Sequence, residues 1–273
     1  MTSQGVYSMK KAVFVTGAAS GTGYCIAETF AKNGYNVIIT SRRSESSEAA
    51  AAQIARDYGV EAWGYELGIR DEQRVKDIFA ELDEKGVFVE TVVLNAANLG
   101  FGNAPAKGMD FFTVPVEEFQ EVFETNLVWN FMIVRQAALR MREQHRGAVV
   151  FISSNTAHAA IPNRSAYCAS KGGINAMAKA FAVDLGPYGI RVNAVLPGTI
   201  KTERWRKMGA SAVGGQMTPL GDISDFEDVA NAAYYLGSDL SKNVTGIEIV
   251  VDGGMTSQLY PRLLDQLLRE KNS

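Results

Sequence analysis

Cysteine and histidine are scarce in this chain, two of each among 273 residues: Cys25, Cys168, His145 and His158. With no CxxC pair, neither a disulfide framework nor a structural zinc site fits, and a reducing cytoplasm is the expected compartment. Charge of one sign is lacking too. The 27 Lys and Arg against 30 Asp and Glu leave a formal net charge of −3, no electrostatic footprint for nucleic acid or an anionic membrane. The basic pairs Lys10-Lys11 and Arg42-Arg43 are too short to be tracts. Long apolar runs are missing: nothing approaches the roughly 20 residues of a membrane span, and the opening MTSQGVYSMK lacks the apolar stretch of a signal peptide. There is no internal repeat, low-complexity tract or linker. A single domain over residues 1–273 is therefore expected, with 1–10 as an N-terminal extension. What is present, 47% hydrophobic and 21% charged residues, suffices for a sizeable core.

Apolar β-rich runs alternate with helical patterns throughout. Ala12–Thr16, Val37–Thr40, Thr91–Leu94, Ala148–Ile152, Arg191–Leu196 and Ile247–Val251 read as strands, and Glu61–Leu67 as a weaker one. Their near-continuous apolar character suits strands buried on both faces of a parallel sheet. Gly23–Lys32 reads as a helix stopped by Asn33-Gly34. Pro115–Gln144 and Ser165–Tyr188 read as long helices, and Ser41–Ala52 as a turn followed by a solvated helix. The βαβ alternation predicts an α/β fold: a single-domain, doubly wound, Rossmann-like parallel sheet with helices on both faces.

Tyr167 and Lys171 stand four apart on a predicted helix, with Ser154 thirteen residues upstream of the tyrosine. Residues at that spacing share a helix face. A free tyrosine titrates near pH ~10, and a neighbouring positive charge lowers that value toward useful acid–base work. Ser154 would hydrogen-bond the reacting oxygen and hold it against the phenol. The spacing alone is weak, since Tyr7 and Lys11 repeat it at the entry to the first strand with no serine partner.

The run Thr16-Gly17-Ala18-Ala19-Ser20-Gly21-Thr22-Gly23 links the first strand to the first helix. Glycines there allow a tight turn and a close approach of a pyrophosphate, for which the helix N-terminus offers N–H groups. A glycine-rich turn with no ligand would read the same way, and the position directly after the N-terminal strand favours the nucleotide.

From about Lys11 to Gly254 the chain resembles the short-chain dehydrogenase/reductase family. The resemblance rests on Thr16-Gly-x-x-x-Gly-x-Gly23, Asn95-Ala96-Ala97, Asn126, Ser154, Tyr167-x-x-x-Lys171 and Pro197-Gly198, in this order. It implies a nicotinamide cofactor and interconversion of a secondary alcohol and a ketone. Tyr167 would be the acid or base, Ser154 would bind the substrate oxygen, and Lys171 would hold the nicotinamide ribose and lower the Tyr167 pKa. Asn126 would orient a water in a proton relay behind Lys171. Cofactor contacts are expected from Thr16, Gly17, Ser20, Gly21, Thr22, Gly23, Asn95, Ala96, Ala97, Pro197 and Gly198, and from Ile200 and Thr202 toward the carboxamide and phosphates. Family members are commonly homotetramers or dimers, so a homo-oligomer is expected.

Cofactor choice turns on the end of the second strand, where an acidic residue would select NAD(H). Ser41 stands there, followed by Arg42 and Arg43. A small polar residue with an arginine accepts a 2′-phosphate, so NADP(H) is favoured over NAD(H). Surface arginines opening a helix would give the same pattern. Gly68, beside Ile69 in the expected cofactor set, replaces the usual adenine-facing aspartate, so that contact is missing or supplied otherwise. Asn98 replaces the last glycine of the Asn-Ala-Ala-Gly turn, which is expected to survive because asparagine tolerates positive φ; Asn98 and Trp205 are also expected substrate contacts. His158 replaces a small residue and is read as a substrate contact or a cap on the pocket rim.

Leu99–Pro115 and Ile200–Leu220 are expected to border the substrate, the stretch 200–220 as a lid. They carry Phe101, Met109, Phe111, Phe112, Trp205, Met208 and Met217, joined by Ile161 and Pro162 near Ser154. This favours a bulky apolar substrate such as a hydroxysteroid, though core packing would also account for part of the pattern. A 3-ketoacyl or sugar/polyol reductase is the alternative enzyme, and a nucleotide-sensing binding protein the alternative outside enzymes. In the tail 255–273, Pro261 is placed to open a helix with a stripe of Leu259, Leu263, Leu264, Leu267 and Leu268.

Overall fold

Alternation along the first strand sorts its side chains into two cores. Ala12 and Phe14 enter one cluster with Phe79, Ile133, Phe151 and Leu196. Val13 and Val15 enter another with Ile26, Phe30, Ile54 and Leu236. Such a strand is covered on both faces, as the apolar run predicts. The structure, a computed structural model, describes residues 10–100, 110–207 and 211–271; the side chains of 204, 206, 211–213, 262–263 and 265–267 lie outside that description.

The chain runs β1 Lys10–Thr16, α1 Gly21–Lys32, β2 Asn36–Ser41, α2 Ser44–Tyr58, β3 Ala62–Glu66, α3 Glu72–Glu84 and β4 Val87–Leu94. It continues with α4 Val116–Phe123, α5 Trp129–Gln144, β5 Gly147–Ile152, α6 Ser165–Leu185 and β6 Ile190–Pro197. The last elements are α7 Glu203–Lys207, α8 Ser211–Gln216, α9 Phe226–Gly237, β7 Glu248–Val251 and α10 Arg262–Lys271. Seven strands form one sheet in the order β3-β2-β1-β4-β5-β6-β7, and every pairing is parallel. The expected doubly wound Rossmann-like sheet is borne out. Among the described residues no helix is long and apolar enough to cross a membrane.

Local chemistry sets the boundaries. Helix α1 stops at Asn33, followed by Gly34 at φ +80, which suits glycine because it has no Cβ to clash. Helix α9 begins in a reciprocal capping box between Asp225 and Asp228. The helical run expected over Pro115–Gln144 is interrupted: residues Glu124–Val128 form a π turn, with the Trp129 N–H reaching back to the Glu124 carbonyl. The extra residue in that turn shifts the helix face and places Asn126 inside, fully buried. Helix α10 follows Pro261, and Leu259, Leu264 and Leu268 on this tail are exposed. Lys11 of the weak Tyr-x-x-x-Lys repeat pairs with Glu90 at 3.7 Å, in the early part of β4. Tyr7 lies outside the described residues.

Candidate active site

Because β1 lies between β2 and β4, the chain leaves the sheet in opposite directions from neighbouring strands. A crevice forms there at the strands' C-terminal ends. The turns after β1 and β4 are bound to each other. The Thr16 hydroxyl accepts from the N–H groups of Asn95 and Ala96, both at 3.0 Å. Asn95 Nδ2 donates to the carbonyls of Thr16 at 3.0 Å and Gly17 at 3.3 Å. Gly17 and Gly21 have φ of +62 and +59. A Cβ on Gly23 would lie 2.5 Å from the Gly17 carbonyl oxygen and 2.6 Å from Asn95 Nδ2. Ser20 caps α1 by its backbone and makes no side-chain bond to the first turn. An open helix N-terminus beneath a turn with glycine at 17, 21 and 23 fits a diphosphate.

The end of β2 supplies cations. Ser41 Oγ donates to the Arg43 carbonyl at 2.7 Å and accepts from its N–H at 3.2 Å. This fixes the turn that presents Arg42 and Arg43, both exposed and, among the described residues, held by no ion pair. Beside them, Leu67 N–H donates to the Ser41 carbonyl at 2.8 Å. Gly68 has nothing within 4 Å of where a Cβ would stand, and Ile69 is 43% exposed. These residues fit a phosphorylated ribose better than a bare one.

Next along the sheet edge, Ser154 follows β5 and Tyr167 and Lys171 lie on α6. Ser154 Oγ accepts from the Thr156 N–H at 3.1 Å and is hydrogen-bonded to the Tyr167 phenol. Lys171 is buried, lies 5.5 Å from the centre of the Tyr167 ring and donates from Nζ to the Ile152 carbonyl at 2.8 Å. Asn126 joins the group through Ser170, its Nδ2 donating to Ser170 Oγ at 2.9 Å, and Ser170 Oγ donates to the Tyr167 carbonyl at 2.8 Å. The structure thus brings Ser154, Tyr167, Lys171 and Asn126 together.

The electrostatics differ from the expectation. Burial pushes the Tyr167 phenol up; the hydrogen bond with Ser154 and the charge of Arg164 pull it back only in part. Burial also pushes Lys171 down, to about 7. The lysine was expected to depress the phenol, but desolvation acts against both charged forms and dominates in the protein alone.

Ile200, after β6, forms a parallel bridge to Ser224, and Thr202 Oγ1 accepts from the Trp205 N–H at 3.4 Å. Pro197 ends β6, and a Cβ on Gly198 would lie 2.6 Å from Asp252 Cβ. Lys201 clasps Asp222 at 2.6 Å and Asp225 at 3.0 Å, so both ends of the expected lid are fastened together. Two cavities of about 250 and 260 Å³ lie elsewhere, one between α5 and α6 and one around Glu90, Arg146 and Arg191. The crevice is identified by converging chemistry instead.

A family model described as enoyl-(acyl carrier protein) reductase matches residues 17–256. The chain belongs to the short-chain dehydrogenase/reductase family. It is 36% identical over 254 residues to an NADP-dependent (R)-specific alcohol dehydrogenase of Lentilactobacillus kefiri, covering 91% of this chain and 97% of that protein. It is 31% identical over 247 residues to the 3-oxoacyl-[acyl-carrier-protein] reductase FabG of Aquifex aeolicus, covering 90% and 97%. The structure of ElxO with NADP bound superposes with a TM-score of 0.83 at 29% identity, covering 92% of this chain and 100% of that one. This short-chain dehydrogenase/reductase is an NAD(P)-dependent oxidoreductase acting on an alcohol or ketone.

Within the family frame, Asn98 corrects one expectation. It does not take positive φ; Gly100 does, at +64. Asn98 Oδ1 instead accepts from the Gly100 N–H at 2.9 Å, closing the turn by a side chain where left-handed backbone was expected. A Cβ on Gly100 would lie 3.1 Å from Tyr167 Cβ, so this turn packs on the tyrosine. His158 is held by Glu248, its Nε2 at 2.7 Å from Glu248 Oε2. Trp205 is half-buried on α7. Phe101, Met109 and Met208 lie outside the described residues. Two residues escaped the sequence reading. Arg164, which acts on the Tyr167 phenol and donates to the Leu99 carbonyl at 2.8 Å, stands one helical turn before Tyr167. That spacing was a usable signal. Ser170, between Tyr167 and Lys171, carried none.

Proposed function

We propose that this enzyme uses NADP(H), with NAD(H) the weaker alternative, to interconvert a bulky apolar secondary alcohol and its ketone, a hydroxysteroid being the specific reading. Arg42 beside Ser41, exposed and in no ion pair among the described residues, supports the phosphorylated cofactor. The observation that carries the substrate class is the apolar rim: Leu99, Ile161 and Met217 are 48%, 47% and 45% exposed, and Phe111 and Phe112 are 73% and 91% exposed. Exposed apolar groups on segments bordering one crevice mark a binding surface.

When bound, the nicotinamide supplies the hydride for reduction and takes it in oxidation. Ser154 Oγ holds the substrate oxygen, and Tyr167 Oη gives it a proton in reduction and removes one in oxidation. Burial that keeps the phenol protonated suits it to act first as an acid. Arg164 and the charged form of Lys171 stabilise the phenolate that results. Lys171, poised at about 7, is able to gain or lose a proton at neutral pH and so to reload Tyr167, with Asn126 orienting the water behind it.

A 3-ketoacyl reductase is the second reading, favoured by the likeness to the Aquifex aeolicus protein. Initial rates with NADPH and with NADH on 5α-androstane-3,17-dione, acetoacetyl-CoA and L-xylulose separate these. Preference for the steroid supports the apolar reading; turnover confined to the thioester or the sugar overturns it. We read the protein as a cytoplasmic homo-oligomer, on its scarce cysteine and on the apolar groove of about 250 Å³ that Phe131, Leu139, Phe181 and Tyr188 help to line. A monomer mass by light scattering would refute the assembly.

A further inference from the structure

The segment that carries Ser154 is short and is held at both ends. Ser153, buried, donates from Oγ to Asn175 Oδ1 at 2.7 Å. Asn175 in turn donates from Nδ2 to Glu248 Oε2 at 2.9 Å. At the other end, His158 Nε2 lies 2.7 Å from the same oxygen, Glu248 Oε2. Chain and side chains therefore close a ring: Ser153, Asn175, Glu248, His158 and back through residues 154–157. Inside it, Asn155–Ala157 form a single 3-10 turn, and the Thr156 N–H donates to Ser154 Oγ at 3.1 Å.

We infer that Glu248 is a positioning residue for Ser154, fixing its hydroxyl by anchoring both ends of the segment 153–158 to one carboxylate oxygen. The inference rests on the role proposed for Ser154. Glu248 sits on β7, which pairs with β6, so the anchor belongs to the rigid sheet while Ser154 lies beyond it. An ionised carboxylate only accepts hydrogen bonds. It therefore fixes the Asn175 amide with its nitrogen toward Glu248 and its oxygen toward Ser153, and it requires a proton on His158 Nε2. Lys179, at 2.8 Å from the other carboxylate oxygen, is the remaining charged group at Glu248 among the described residues. Burial works to raise the Glu248 pKa, but the bonds and charges of Lys179 and His158 outweigh it and keep the carboxylate below its usual range. The anchor is thus charged at neutral pH.

The test is a double-mutant cycle read on kcat, with NADPH and whichever of 5α-androstane-3,17-dione, acetoacetyl-CoA and L-xylulose the wild type turns over fastest. Misplacing a catalytic group by an ångström costs on the order of 100-fold, and a loosened segment visits the right geometry part of the time, so Glu248→Ala is expected to lower kcat roughly 10-fold. NADPH affinity should stay within about twofold, since the bonds of the ring run among Ser153, Asn175, Glu248 and His158 and none of them reaches the turns after β1 and β2. In a Ser154→Ala background the same substitution should cost nothing further, because the group being positioned is gone. His158→Ala, at a half-exposed loop residue, repeats the test if Glu248→Ala does not fold. Wild-type kcat in both variants, or an equal loss in the Ser154→Ala background, overturns the positioning role while the loss caused by Ser154→Ala alone keeps the catalytic reading. An unchanged rate in Ser154→Ala, or no turnover of any of the three substrates, removes that reading and the inference with it.

Discussion

Asn126 binds the backbone of Asn98 from both sides: its Oδ1 accepts from the Asn98 N–H at 2.8 Å, and its Nδ2 donates to the Asn98 carbonyl at 2.9 Å. The pairing resembles one rung of a sheet ladder, made by a side chain. It ties the turn after β4, which packs on Tyr167 through Gly100, to the π turn between α4 and α5. Asn126→Ala leaves the Asn98 N–H and carbonyl, both part-buried, and the buried Ser170 Oγ each short of a partner. A loss of about 3 kcal/mol is expected from such unsatisfied groups. The midpoint of urea unfolding checks it, and a variant within about 0.5 kcal/mol of wild type would show the clasp to be idle.

Lys171 should leave a mark on the pH dependence of stability. Its pKa falls from 10.5 to about 7 on burial, so below pH ~7 it is protonated folded and unfolded, and the burial penalty is full. Between that pH and about 10.5 the unfolded chain holds the extra proton, and stability rises with pH by up to about 1.4 kcal/mol per unit. Lys171→Met has no such proton. Its melting temperature, set against wild type at each pH, should look best at pH 7 and lose ground toward pH 10. A constant difference across that range would mean that Lys171 keeps an ordinary pKa.

Arg42 should separate the two nicotinamide cofactors. A bidentate guanidinium–phosphate contact is a charge-assisted one, so Arg42→Ala is expected to weaken NADPH binding roughly 10- to 100-fold and NADH binding little. Fluorescence titration of both cofactors reads the ratio. Equal losses would assign Arg42 to the surface.

Much of this architecture was legible because strand and helix signals are local. The run Ala12–Val15 is apolar at every position, and a strand covered on both faces follows from that alone. Asn33-Gly34 stops α1 for reasons contained in two residues. The Asn95-Ala96-Ala97 turn could be read beside Thr16 only because the family orders its motifs so. What escaped the sequence arises from contacts between distant positions. Asn98 and Asn126 are 28 residues apart and His158 and Glu248 are 90 apart, and no periodicity links such pairs. The π turn at 124–128 breaks a helix whose composition gives no warning, since its cause lies in what Asn126 must reach. The Tyr167 phenol was misjudged for a related reason: the positive neighbour is visible in the sequence, while the burial that overrides it is a property of the folded crevice.

The most direct test of the account is Tyr167→Phe, which removes one oxygen from the crevice and leaves the ring that Gly100 and Lys171 pack against. NADPH titration and steady-state reduction should be measured on the same preparation, with the best substrate of the wild type. Cofactor affinity should stay within about twofold of wild type, and kcat should fall by at least the roughly 100-fold typical of losing a positioned general acid. Turnover at the wild-type rate with NADPH still bound would contradict it, and would take the proton transfer away from Tyr167.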